Sequence, residues 1–115
     1  MDYKELDVWK RSMDLVTVIY KWTSDLPESE KYGLCSQIRR AAVSVPSNIA
    51  EGSARRGDKE LLNFLNYALG SVAEVETQYL IILRLQLLEE HKDLYTLIIN
   101  VKKLILGYRN YIIKK

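Results

Sequence analysis

Cysteine occurs once in these 115 residues, at Cys35, and histidine once, at His91. No internal disulfide can form, and a reducing compartment fits. The two residues lie far apart in the chain. No Glu-x-x-His carboxylate pattern, Gly-rich phosphate loop or nucleophile elbow accompanies them. Nothing in the sequence therefore points to catalysis, and no metal or cofactor is expected. Proline occurs twice and glycine five times. No Gly/Ser-rich linker divides the chain, so residues 1–115 read as one domain. No apolar run approaches the roughly 20 residues of a membrane span; Tyr79 to Leu83 is cut by Arg84. Met1 leads into Asp2, Lys4, Glu5 and Asp7, which is not the basic start of a secretory signal. The expectation is a cytoplasmic protein. Neither charge dominates: 17 Lys and Arg face 15 Asp and Glu, for a net charge of +2. That balance permits an anionic partner without arguing for one.

What is abundant is helical periodicity; no stretch shows strand-like alternation. The apolar residues make up 48% of the chain, enough for a sizeable core. Leu6, Trp9, Met13, Val16 and Tyr20 step by three and four, predicting a first helix from about Leu6 to Ser24. Leu15, Ile19 and Trp22 widen its face. Pro27 ends that helix, and Ser29 is a plausible N-cap for a second helix beginning near Ser29 or Glu30. The second helix runs to about Ala54. Gly57 suits a left-handed C-cap and Asp58 the next N-cap. A third helix follows from about Lys59 to Leu85, with Leu61, Leu65, Ala68, Val72, Val75, Tyr79 and Ile82 as its stripe. The fourth spans about Glu90 to Ile113, with Leu94, Ile98, Val101, Ile105, Tyr108 and Ile112 inward. Glu89 and Glu90 favour its N-terminus by the helix dipole. Four amphipathic helices with short connections predict an all-α, antiparallel up-down-up-down four-helix bundle.

The second helix carries the least ordinary stretch. Ile38, Ala42, Val45, Ile49 and Gly52 keep one phase across Pro46. A helix that continues through the proline with a kink is expected, since proline lacks an N–H and crowds the carbonyl four residues back. Gly52, on the core face, reads as a position of close approach. Beside that stripe runs a mostly polar one: Gln37, Ala41, Ser44, Asn48, Glu51 and Arg55. The third helix has a counterpart in Asn66, Gly70, Ala73 and Thr77. Such stripes serve a contact between subunits, or they pack on each other inside one chain, with Asn48 or Glu51 satisfied near Ser71 or Glu74.

Arg55, Arg56 and Lys59 cluster at the connection between helices two and three, and Arg39 and Arg40 lie a few turns back. Arginine forks suit phosphate; the competing reading is a solvated basic corner paired locally to Glu51, Asp58 and Glu60. Glu74 and Glu76 are candidates for inward carboxylates, each expected to pair with an arginine such as Arg39 or Arg40, to find a donor such as Ser71 or Asn48, or to stay exposed. His91 is expected to be solvated, and Cys35 to be a small core residue. The eight tyrosines and two tryptophans fill a core or interface more readily than they stack on bases.

Gln37-Ile38-Arg39-Arg40-Ala41-Ala42, Ser44-Val45-Pro46-Ser47-Asn48-Ile49-Ala50-Glu51-Gly52, Arg55 or Arg56, and Ala68-Leu69-Gly70-Ser71 with Glu74 resemble the signature of the four-helix-bundle family named for proteins encoded in intervening sequences of 23S ribosomal RNA. Leu6-Asp7-Val8-Trp9 matches the usual start of that family. Gln86 departs from it, where glycine is common, and so does Glu89, where a better N-cap is common. The resemblance implies a small cytoplasmic bundle without catalytic residues, often assembled as a homopentameric ring. It extends to the accessory variability protein of diversity-generating retroelements, which binds nucleic acid and a reverse transcriptase. The structural signature residues carried over are Pro46, Asn48, Glu51, Gly52, Gly70, Ser71 and Glu74. Arg39, Arg40, Arg55, Arg56 and Lys59 are the candidate nucleic-acid contacts. The expected function is a non-enzymatic adaptor for RNA or another nucleic acid, ribosomal RNA by the family's name. The alternative is a protein-interaction scaffold with no nucleic-acid role.

Overall fold

Alternating steps of three and four put Leu65, Ala68, Val72, Val75, Tyr79 and Ile82 on one line, and all six are buried. They belong to α3 (Asp58–Arg84), around which α1 (Asp7–Thr23), α2 (Leu34–Ser53) and α4 (Lys92–Lys114) complete an all-α bundle. Single 3-10 turns at Tyr3–Glu5 and Glu28–Glu30 precede α1 and α2. The structure is a computed structural model and describes residues 2–115; Met1, with which the acidic start begins, lies outside the described residues. Each helix packs on its neighbours in sequence, and α1 closes against α4. Partners across α2 and α3 run in opposite directions: Gln37 meets Gln78, Ser44 meets Ser71, and Gly52 lies against Phe64. Tyr95 with Glu76 and Arg109 with Asn66 show the same sense for α3 and α4.

Helix α2 passes through Pro46 without a break, as the phase of its apolar residues requires. Ile38, Ala42, Val45, Pro46 and Ile49 are all buried. Polar side chains around the proline bond to carbonyls of the same helix. Ser44 Oγ donates to Ala41 O at 2.7 Å, Ser47 Oγ to Val43 O at 2.8 Å, and Asn48 Nδ2 to Ser44 O at 2.8 Å. Gly52 is a point of contact: a Cβ there would stand 2.7 Å from Phe64 Cβ and 3.1 Å from Leu61 Cδ1.

Several local expectations are corrected. The core line of α1 is Val8, Ser12, Leu15, Ile19 and Thr23, whereas Met13 and Tyr20 are 41% and 42% exposed. Ser12 and Thr23 enter the core because each hydroxyl donates to its own helix, Ser12 to Val8 O and Thr23 to Ile19 O, both at 2.6 Å. Helix α2 starts at Leu34, beyond Ser29, which sits in the exposed 3-10 turn. Gly33 is the cap residue, and the Glu30 carboxylate supplies the acceptor for Leu34 N–H at 3.2 Å. Gly57 (φ 86°, ψ 161°) caps the start of α3 instead of closing α2, and Asp58 is already helical. α2 closes instead with the Ala54 N–H bonded to the Ala50 and Glu51 carbonyls. Cys35 is half-buried at the rim of the core, with Sγ 3.9 Å from Thr23 O.

The connection from α3 to α4 is tightly organised. Gln86 takes φ 57°, the conformation a glycine adopts most easily. The Gln86 N–H then reaches Leu83 O at 2.9 Å and the Leu87 N–H reaches Ile82 O at 3.1 Å, the paired closure of a Schellman motif. α4 begins at Lys92, leaving Glu89 and Glu90 outside it. His91 is not simply solvated: half-buried, it caps α4 by accepting Leu94 N–H on Nδ1 at 3.1 Å. The hydroxyl of Tyr79, itself only 1% exposed, accepts His91 N–H at 2.9 Å and donates to His91 O at 3.2 Å. Trp22 Nε1 donates to Glu89 O at 3.3 Å, fastening the same connection to α1. Among the described residues, no helix is long and apolar enough to cross a membrane.

Candidate nucleic-acid interface

The short connection 54–57 folds α3 back along α2 and gathers charge at one end of the bundle. Arg55 lies over the Phe64 ring at 5.1 Å from its centroid, and its Nη2 is 3.6 Å from Glu51 Oε2. Both side chains are about half exposed, so this pair is a weak tie that solvent screens. Arg56 and Lys59 are exposed, and among the described residues their side chains form no ion pair or hydrogen bond with the protein. Lys115 Nζ sits 3.7 Å from Asp58 Oδ1, which brings the end of α4 to the same corner. Lys115 was not among the contacts expected from the sequence, where it reads only as a charge favouring the end of the fourth helix. The signal for it was the antiparallel order of the helices, which puts the end of α4 beside the start of α3.

Arg39 and Arg40 do not join this group. Arg39 stands about four helical turns, roughly 21 Å at 1.5 Å per residue, before Ser53 at the end of α2, and Arg55 lies beyond that end. Arg39 is committed to α1: Nε donates to Thr23 Oγ1 at 3.0 Å, Nη2 to Tyr20 O at 3.2 Å, and the guanidinium stacks 4.4 Å from the Tyr20 ring centroid. Arg40 is exposed and lines a cavity of about 360 Å³ with Gln37, Ala41, Ser44, Glu74 and Gln78.

Among the described residues neither Glu74 nor Glu76 pairs with Arg39 or Arg40; the other two expected outcomes, a different donor and exposure, are the ones found. Glu76 faces α4 instead and accepts the Tyr95 hydroxyl at 2.7 Å. That bond, then burial, then the nearby Glu76 charge hold the Tyr95 phenol above its ordinary value. Tyr108 is likewise raised, first by burial and then by Asp58 and Tyr111. Glu74 is exposed.

The signature residues divide between two tasks. Pro46 and Gly52 are buried, and Asn48 is half-buried and bonded to its own helix. Ser71 meets Ser44 Oγ at 2.6 Å, so part of the polar stripe of α2 packs on α3 within one chain. Gly70 and Glu51 are exposed, and nothing lies within 4 Å of where a Gly70 Cβ would stand. Asn66, Ala73 and Thr77, the rest of the small-residue stripe of α3, are exposed as well.

Residues 4–107 match a family model described as 23S rRNA-intervening sequence protein. The match begins in the first 3-10 turn and takes in the first three helices and most of α4. No curated protein matches the chain significantly.

Proposed function

The chain belongs to the 23S rRNA-intervening sequence protein family, and on that premise we propose that it is a non-enzymatic adaptor binding RNA or another nucleic acid at the Arg55–Lys59 end of the bundle. The observation that carries this reading is the exposed, unpaired state of Arg56 and Lys59 beside Arg55 and Lys115. Cations with no acid to satisfy are available to phosphate, and they position a strand without reading its bases. With a net charge of only +2 the contact is local, and its salt dependence is set by the few phosphates these side chains neutralise. The adaptor works as an assembly of identical chains, five being the number the resemblance implies. A protein-interaction scaffold is the second reading, favoured by exposed apolar side chains such as Val43, Tyr67 and Ile81.

Binding of labelled single-stranded RNA, followed by fluorescence anisotropy at several salt concentrations, tests the proposal. Replacing Arg55 and Arg56 together by alanine is expected to weaken binding and to flatten the log–log salt dependence by about 0.7 per lost phosphate contact. Arg39→Ala, which removes a cation already bonded to α1, is expected to leave the slope unchanged. Wild-type protein without measurable affinity at low salt returns the function to the scaffold reading.

A further inference from the structure

Packing does not account for Tyr67. Tyr79 is buried in the core, and Tyr95 and Tyr108 lie half-buried against it. Tyr67 instead presents 59% of its surface to solvent. Its ring meets that of Phe64 nearly at right angles, at 87°, with the centroids 5.5 Å apart. Phe64 is itself held in place. The missing Cβ of Gly52 lets it lie on α2, and the Arg55 guanidinium covers its ring at 5.1 Å. Tyr67 is therefore propped by a fixed neighbour while most of its own ring stays bare. Lys59, Asn63 and Tyr67 follow at steps of four along α3, and all three are exposed. The ring stands about 12 Å along the helix from Lys59, at 1.5 Å per residue. The free cations Arg56 and Lys59 thus lie at one end of a short track, Arg55 and Phe64 beside it, and Tyr67 at the other end.

We infer that Tyr67 is a stacking platform for an unpaired base, so that the ligand of this corner is single-stranded nucleic acid. The inference rests on the proposed phosphate contact at Arg55 to Lys59, and it names the form of nucleic acid that the corner takes. An apolar protein surface would cover Tyr67 equally well but would leave Arg56 and Lys59 without partners. A nucleotide supplies both halves of the contact, a phosphate for the cations and a flat face for the ring. Glu51 and Glu60, exposed nearby, repel phosphate and keep the strand's backbone to the Arg56 and Lys59 side. In a duplex the bases are stacked on one another, and their faces are closed to a side chain. Stacking reads no sequence, because every base has a π face, so the contact is tolerant of base identity.

An abasic strand separates stacking from phosphate contact, since it keeps the backbone charge and lacks the bases. Fluorescence anisotropy is measured with a labelled single-stranded oligonucleotide, an abasic strand of equal length, and a duplex of the same sequence. Wild-type protein is expected to hold the intact strand about fivefold or more tighter than the abasic one. Tyr67→Ala is expected to erase that difference while leaving the salt slope, the affinity for the abasic strand and the affinity for the duplex unchanged. Tyr67→Phe, which keeps the ring, is expected to bind as wild type does. Wild-type protein that holds the abasic strand as tightly as the intact one overturns this inference and leaves the phosphate contact standing. Tyr67→Ala that weakens all three ligands alike also overturns it, by showing that the ring only supports the corner. No measurable affinity for any of the three at low salt overturns both this inference and the proposed function.

Discussion

The two halves of the bundle are joined by different means. The α2–α3 half is held by close approach: Gly52 lies against Phe64, Ser44 against Ser71, and the contact between these helices is the most extensive in the protein. Charge is sparse there. α2 bears it only at Arg39, Arg40 and Glu51, and α3 between Leu61 and Leu83 only at Glu74 and Glu76. The α1–α4 half is looser, with a groove of about 510 Å³ between its helices lined by Arg11, Asp14, Lys21, His91 and Asp93 among others. It is secured at its end by the hydrogen bond from Trp22 to Glu89 O, and the Tyr79 hydroxyl of α3 holds the start of α4 through the His91 backbone. The difference teaches that one small bundle can divide its work. The half built from small residues depends on shape, and the half built from long charged residues depends on a few polar clasps.

Shape dependence is broken most directly at the glycines. Gly52→Ala sets a methyl group 2.7 Å from Phe64 Cβ, and the overpacking is expected to cost about 1–3 kcal/mol. The matching change in the looser half has the opposite sign. Gly107 in α4 has open space at its Cβ position, and Gly107→Ala is expected to stabilise by about 0.5–1 kcal/mol through helix propensity. Urea unfolding of the two variants against wild type measures both; a stabilising Gly52→Ala would erase the distinction between the halves.

The clasps are tested at Tyr79. Tyr79→Phe keeps the buried ring and removes the hydroxyl that serves both His91 N–H and His91 O. The expected loss is about 1–2 kcal/mol, with faster amide exchange at His91 and Leu94 as the local sign. A loss spread evenly over α2 and α3 would show that the connection is not an independent clasp.

A smaller effect follows from Tyr95. Its folded pKa is raised above the ordinary 10.0, chiefly by the bond to Glu76. A group raised on folding contributes stability below its unfolded pKa and loses it as pH climbs through the folded value. The stability difference between wild type and Tyr95→Phe is therefore expected to hold steady up to about pH 10 and to shrink above it. Unfolding curves across that range check the sign.

Much of this arrangement was legible before any coordinates. The core lines of α2, α3 and α4 follow from apolar spacing, and Gly52 as a close-approach point follows from its place in that phase. The line of α1 was misread because Ser12 and Thr23 count as polar in a sequence. In the fold each satisfies its hydroxyl on its own helix and packs like a small apolar residue. Ser29 looked like a cap because serine often is one; the acceptor came instead from Glu30, through a backbone shape that Gly33 makes available. Arg39 and Arg40 looked alike in sequence. One is bonded to α1 and the other is exposed, a difference decided by helix-to-helix geometry that spacing along one helix does not contain.

Pro46 has a consequence for how α2 comes apart. It carries no amide hydrogen, so the i to i−4 ladder lacks the rung that would end on the Ala42 carbonyl. The helix is unbroken on both sides, so the N–H groups after the proline still reach carbonyls before it. The side chains of Ser47 and Asn48 add bonds to Val43 O and Ser44 O across the same level; the ladder is thinned there by one bond. Fraying that begins at Leu34 therefore meets a natural stop at the proline, and the stretch from Ser47 to Ser53, pinned on α3 by Gly52, is able to stay closed while the first half opens. The single missing rung thus sets the level at which α2 parts most readily when it opens locally.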